Sequence, residues 1–181
     1  MQLARFYTAL LFFISSFSLF ASASPVATDL MVRDGTCGCG TDVVNALLDL
    51  QVKVNADVKL LDGVTDCSKG IDALIADINA SAKVIAGLDV SAGFLDADLS
   101  LCVSICVQII LAILAGCLKY SVVIILTVVA KLDLAICALI NACISLNAGF
   151  LAKIDLNADL LAAIPNLTLC GFVNLLALLK L

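Results

Sequence analysis

Ionic side chains become scarce in the second half of this 181-residue chain. Residues 99–181 hold only four lysines and three aspartates, whereas about a quarter of the residues in an ordinary globular domain are charged. Residues 24–98 hold twelve aspartates, four lysines and one arginine, for a net charge of −7. The first region therefore has enough charge for ordinary solvated faces, while the second must place most of its side chains against other apolar groups.

The first 23 residues have the layout of a cleavable secretory signal. Arg5 gives a positive start, residues 8–20 form an apolar core, and Ala21-Ser22-Ala23 presents the small residues that a signal peptidase requires. This core is short for a membrane span of roughly twenty residues. We expect cleavage after Ala23 and secretion to the extracellular space or cell wall; an uncleaved membrane anchor is the alternative.

All the cysteines lie beyond the expected cleavage site, at Cys37, Cys39, Cys67, Cys102, Cys106, Cys117, Cys137, Cys143 and Cys170. A secreted chain enters an oxidising compartment, where disulfides form and persist. We expect these cysteines to crosslink the fold. Their number is odd, so at least one thiol stays free or pairs between chains, and the sequence does not determine the connectivity.

The composition argues against an enzyme. The chain has no histidine, no tryptophan and no glutamate, so the commonest general base and metal ligand is missing. Cys37-Gly38-Cys39 is the only tight cysteine pair, and the repeated spacings of structural zinc sites are absent. No phosphate-binding glycine motif follows a predicted strand, and an acidic chain without a basic patch does not suit nucleic acid. We expect no cofactor, no metal and no catalytic residue.

Residues 24–40 predict a flexible arm containing glycine and cysteine, and residues 41–88 predict an amphipathic helical hairpin. Apolar residues recur at helical spacing in both halves of the hairpin, at Val43, Leu47, Leu50, Val54, Val58 and Leu61, and then at Ile71, Leu74, Ile75, Ile78, Ala82 and Ile85. Asp49, Lys53 and Asp57 are spaced by four residues and predict a solvated face. Residues 89–98 predict a linker.

Residues 99–181 predict a hydrophobic helical region. Leu99 to Leu118 carries no charge, and its length suits a membrane span. On a helix it still has two faces: Ser104, Gln108 and Ala115 share one side, and Cys102, Cys106 and Cys117 share the opposite side. We expect the thiol side to face other helices.

The rest of this region predicts three further helices. Ser121 to Val129 is β-branched enough to suggest a strand, but we favour a long helix continuing to about Phe150. Residues 151–164 predict a helix ended by Pro165, and residues 171–181 a short tail helix. Small or polar residues form one stripe of the long helix, at Thr127, Lys131, Ala138, Ala142, Ser145 and Gly149. The predicted fold is all-α, with four to five helices stapled by disulfides.

Two sequons offer candidate glycan acceptors, Asn79 and Asn166. Asn79 lies within a predicted helix, whereas Asn166 follows Pro165. We therefore favour Asn166 over Asn79.

A signal ending in Ala-Ser-Ala, a polar first half, an apolar second half and dispersed cysteines together resemble the small secreted fungal wall and hyphal-surface proteins that accompany hydrophobins. Hydrophobins carry adjacent cysteines, and this chain has no Cys-Cys pair, so it is not predicted to be a true hydrophobin. The resemblance implies a non-enzymatic structural role at the cell surface.

These observations favour a secreted, self-associating protein that acts at the wall or at a hydrophobic interface. The second hypothesis is an integral membrane protein spanning through 99–118 and 134–152, in contact with lipid at the cell surface or in the secretory pathway. The third is an extracellular carrier of a lipid or sterol. All three hypotheses rest on the same argument: helices this apolar cannot bury all their faces against one another, so something else must cover the faces that remain.

Overall fold

The computed structural model describes residues 39–61, 68–88, 95–119 and 122–180. These residues form seven α-helices and no strand, which confirms the all-α prediction. The helices are α1 (Cys39–Leu60), α2 (Ser68–Ala86), α3 (Asp96–Cys117), α4 (Val122–Leu146), α5 (Gly149–Asp155), α6 (Ala158–Cys170) and α7 (Val173–Leu178). All seven lie in one compact unit, Cys37–Leu181. The predicted signal and all but the end of the predicted arm fall outside the described residues.

The predicted hairpin is confirmed as α1 and α2. Ten of the twelve apolar residues expected to face inward are buried, and the other two, Val58 and Ile75, are partly buried against the same core. The helices are antiparallel: Leu61 at the end of α1 contacts Gly70 at the start of α2, while Lys53 pairs with Asp77 farther along. The spacing of apolar residues in the sequence was therefore sufficient to predict this pair of helices.

Helix α3 runs parallel to α1. Gly40 lies against Asp98 near the start of both helices, and a Cβ atom at Gly116 would lie 3.1 Å from a methyl carbon of Val58 near their ends. The absent side chain of Gly116 allows the two helices to approach closely. Helix α3 begins at Asp96, so the last three residues of the predicted linker are helical.

Helix α4 returns antiparallel to α3, since a Cβ atom at Gly149, just beyond the end of α4, would lie 3.6 Å from Leu99 near the start of α3. It packs mainly against α2. The long helices thus follow the order α3, α1, α2, α4 around the core, and α3 and α4 make few close backbone contacts with each other. The three short helices pack on the side of the bundle formed by α3 and α4, with α5 and α6 against α3 and α7 against α4. The apolar core extends through all seven helices.

The predicted long helix ends at Leu146 rather than near Phe150. The side chain of Asn147 accepts a hydrogen bond from the Gly149 backbone amide at 2.8 Å, which stabilises a turn before α5. A second asparagine, Asn157, accepts from the amides of Asp159 and Leu160 and caps α6. Local asparagine chemistry therefore divides the region into more helices than predicted.

The prediction that Pro165 ends a helix was wrong, because Pro165 lies inside α6. Proline removes the amide that would bond to the carbonyl of Leu161. Both residues lie on the exposed face of α6, where water can hydrate this carbonyl. The helix ends instead at Gly171, whose φ of 86° is left-handed and favours glycine.

Candidate functional site

Three cysteines meet in the core between α3 and α4. Cys102 and Cys106 lie one turn apart on α3, and both are essentially inaccessible to solvent, as is Cys143 on α4. The thiols of Cys106 and Cys143 are in hydrogen-bonding contact, and Cys102 is close to both. We call these three residues the thiol cluster. It confirms that the thiol side of α3 faces other helices, as does buried Cys117.

Thiolates are disfavoured at Cys102 and Cys106. Burial, with the nearby Cys143 and Asp98, raises the pKa of Cys102 to about 12. The hydrogen bond with Cys143, together with burial, raises the pKa of Cys106 well above its ordinary value. The thiolate is the nucleophilic form of cysteine, so these side chains are poorly suited to nucleophilic catalysis.

Three further cysteines with described side chains lie outside the thiol cluster: Cys117, Cys137 and Cys170. Cys137 is partly buried beside Asp133, and burial followed by the charge of Asp133 raises its pKa to about 11. Burial also raises the pKa of Cys170. The six cysteines with described side chains are present as thiols, so disulfide stapling stays a prediction. Cys37 and Cys67 fall outside the described residues, and for Cys39 only the backbone is described.

No group of three or more histidine, cysteine or acidic residues in the described ranges is arranged to hold a metal ion. This includes the thiol cluster, although it has three potential sulfur ligands. The arrangement of the thiols therefore suits contact between helices better than metal coordination.

A buried carboxylate, Asp133, was missed by the sequence analysis. Its side chain is 1% exposed, and it accepts hydrogen bonds from the backbone amides of Asn174 and Leu175, both at 2.8 Å. The side-chain amide of Asn174 donates a third bond at 3.0 Å. Asp133 on α4 thus caps the first turn of α7 across 41 residues of chain.

The sequence did contain a signal for this contact. Asp133 is the only acidic residue between Asp98 and Asp155, and it sits in an otherwise apolar helix. A charge in such a segment is costly unless it is hydrogen-bonded. Its partners lie on a distant helix, and no local pattern identifies them.

A second missed feature joins the hairpin helices. The predicted solvated face includes Asp57, but one oxygen of its carboxyl group is buried without a hydrogen-bond partner among the described residues. Burial raises its pKa first, and the facing Asp77 raises it further by charge and by a shared hydrogen bond, while Lys53 opposes the shift. Lys53 also pairs with Asp77 at 3.6 Å. Asp49 and Lys53 are exposed as predicted, whereas Asp57 lies in a contact between α1 and α2.

The exposed surface of α3 to α7 is rich in apolar and small polar groups. Its large exposed apolar residues are Leu95, Leu101, Leu118, Leu134, Leu156, Leu161, Leu169 and Val173. On α3 the predicted polar side is confirmed: Ser104 and Gln108 are exposed and Ala115 is partly exposed. Gln108 also bonds to Gln51 of α1. On α6 the exposed residues after Asp159 are all uncharged.

The predicted stripe of small groups is only partly exposed. Lys131, Ala138 and Ser145 face solvent on α4, but Ala142 is buried and Gly149 belongs to α5. The side chain of Thr127 is outside the described part. The stripe therefore does not form one continuous surface.

Both candidate glycan acceptors lie on helices. Asn79 is in α2 and Asn166 is in α6, and each is partly buried. The reason for favouring Asn166 depended on a helix ending at Pro165, so that preference is lost. Both sequons stay predictions.

Two segments are long and apolar enough to cross a membrane, Asp96–Cys117 and Val128–Leu146. The second replaces the predicted 134–152 segment, which crosses the turn at Asn147. Of the most apolar window in each, 61% and 50% is buried inside the fold. Length and composition alone also fit core helices of a bundle.

No known protein family, curated protein or solved structure matches this chain.

Proposed function

We propose that this chain is a secreted, non-enzymatic structural protein that associates with itself and acts at the cell wall, the hyphal surface or another hydrophobic interface. The supporting observation is the outer surface of α3 to α7. These helices already bury a continuous apolar core, yet they still expose leucine, valine and alanine between widely spaced charges. The shortage of charge therefore extends to the surface itself.

The free energy of hiding such surface is large enough to matter. Each 100 Å² of apolar area removed from water contributes about 2.5 kcal/mol. An air, wall or protein surface that covers several of these leucines would thus bind the bundle without a specific pocket. The absence of histidine and the raised thiol pKa values favour this role over catalysis.

The proposal is tested with the mature chain by pendant-drop tensiometry and by its oligomeric state in non-reducing sedimentation. We compare the wild type with the double variant Leu161→Lys/Leu169→Lys, which places charges on the exposed face of α6. Val52→Lys/Val84→Lys is the matched control, since it adds the same charges at exposed sites of the hairpin. We expect the α6 variant to lose surface activity and to dissociate, and the hairpin variant to retain both.

Equal behaviour of the two variants, or a wild-type monomer with no surface activity, would contradict the proposal. The same preparations distinguish the other hypotheses. Resistance to alkaline carbonate extraction from membranes would favour the spanning helices, which are motivated by the two long apolar segments. Lipid recovered by organic extraction of the purified protein would favour a carrier.

A further inference from the structure

The thiol cluster lies where the four long helices are least connected. Helix α3 packs against α1 and α4 packs against α2, but α3 and α4 approach each other at few backbone positions. Cys106 and Cys143 face each other across this side, within hydrogen-bonding reach of one another. Both side chains belong to the same buried core, so they are held together without competition from solvent.

We propose that Cys106 and Cys143 form a disulfide that joins α3 to α4, with Cys102 left as a free thiol. This pairing rests on the proposed secretion of the chain, because that compartment supplies the oxidant. Cys106 is chosen over Cys102 because only Cys106 makes the direct contact with Cys143. The thiols of Cys106 and Cys143 already lie within hydrogen-bonding reach, so the bond requires only a local adjustment where α3 and α4 meet.

The oxidant is a disulfide-bearing donor, either a small molecule or a protein dithiol oxidase. The thiolate of one cysteine attacks the donor disulfide, forms a mixed disulfide and releases the first donor thiol. The second cysteine attacks its partner's sulfur and releases the second donor thiol. The two cysteines lose two electrons and two protons, and the donor gains both.

The order of events follows from burial. The hydrogen bond with Cys143 and burial raise the pKa of Cys106 well above its ordinary value, which leaves little thiolate there at neutral pH. Cys106 and Cys143 are also 1% and 3% exposed, so an oxidant reaches them far more slowly in the folded protein than it reaches an exposed thiol. The bond must form while the chain folds, before the cluster closes.

The test begins with the full chain, reduced and unfolded, then refolded in a glutathione redox buffer. Free thiols are alkylated under denaturing conditions, and the unreduced protein is digested with trypsin. Cleavage at lysines separates residues 84–119 from residues 132–153, so a bond between α3 and α4 links two peptides. Fragmentation of the linked pair by tandem mass spectrometry then identifies the joined cysteines.

We expect a link between Cys106 and Cys143, with the alkyl group on Cys102. Reduction should lower the thermal midpoint by roughly 10 °C, since the bond closes a long loop. Cys102→Ser should retain the link and the midpoint, and Cys143→Ser should lose both. The wild-type peptide map decides the pairing even if Cys143→Ser does not fold.

Alkylation of all these cysteines in the refolded wild type, or a link through Cys102, would overturn the pairing and leave the proposed surface function intact. A link in the redox buffer but free thiols in protein recovered from its own cells would contradict both the disulfide in the cell and the secreted location. Rapid oxidation of the folded, reduced protein would contradict the order of events.

Discussion

The hairpin α1–α2 and the helices α3 to α7 bury their apolar residues in one core but expose different exteriors. The hairpin carries charged residues along its solvent faces, whereas α3, α4 and α6 expose leucine, alanine, serine and asparagine. Burial alone therefore does not account for the missing charges, because a core helix needs apolar residues only on its inner face. The difference shows that the second region is poor in charge on its exterior as well as in its interior.

The largest expected effect concerns the buried charge of the second region. Asp133→Ala leaves the amides of Asn174 and Leu175 without their acceptor inside the fold. We expect the free energy of unfolding to fall by about 3 kcal/mol, since these are hydrogen bonds to a charged group. Urea denaturation measures the loss, and hydrogen exchange should show reduced protection in α7.

Asp159→Ala is the control for this prediction, because Asp159 is exposed on α6. A loss no greater than that of the control would show that Asp133 does not hold α7. In that case the hydrogen bonds between Asp133 and α7 would not distinguish the second region from the hairpin.

The next effect has the opposite sign. Pro165→Ala restores an amide inside α6, where proline disfavours the helix. We expect a gain of about 1–2 kcal/mol in the free energy of unfolding, because part of the gain is offset by greater freedom of the unfolded chain. Thermal unfolding measures it. A loss of stability would instead mean that the backbone around Pro165 is adapted to the proline.

A smaller effect concerns the contact between the regions at Gly116. Because an added Cβ would lie 3.1 Å from Val58, Gly116→Ala alone should give little or no gain. In a Val58→Ala background the methyl group added by Gly116→Ala has room, and we expect this substitution to raise the free energy of unfolding by about 1 kcal/mol through helix propensity. A double-mutant cycle measures the difference, and simple additivity would contradict close packing of α1 on α3.

The smallest effect concerns the charged exterior of the hairpin. The pKa of Asp57 is raised in the folded state, mainly by burial and then by Asp77. Folding therefore favours the protonated form, and this contribution is fully present below the unfolded pKa of about 3.9 and is lost as pH rises through the folded pKa. Asp57→Asn should stabilise the protein slightly at neutral pH and flatten this dependence.

Urea denaturation over a range of acidic to neutral pH measures the Asp57→Asn effect. Asp49→Asn is the control, since Asp49 is an exposed residue of the same helix. We expect the wild type to lose stability relative to the Asp57 variant as the pH rises, and a relative gain would show that the pKa shift has the opposite sign.

The sequence by itself determined the helical class, the hairpin and the two faces of α3. These follow from apolar residues repeating every three or four positions, a local pattern that survives in any helical packing. The tertiary structure alone decided that Asp133 caps α7, that Asp57 faces Asp77, that Cys106 meets Cys143 and that α6 continues through Pro165. These contacts join residues far apart in the chain or depend on which face of a helix meets water. The spacing of apolar residues along one helix identifies neither the distant partner nor the exposed face.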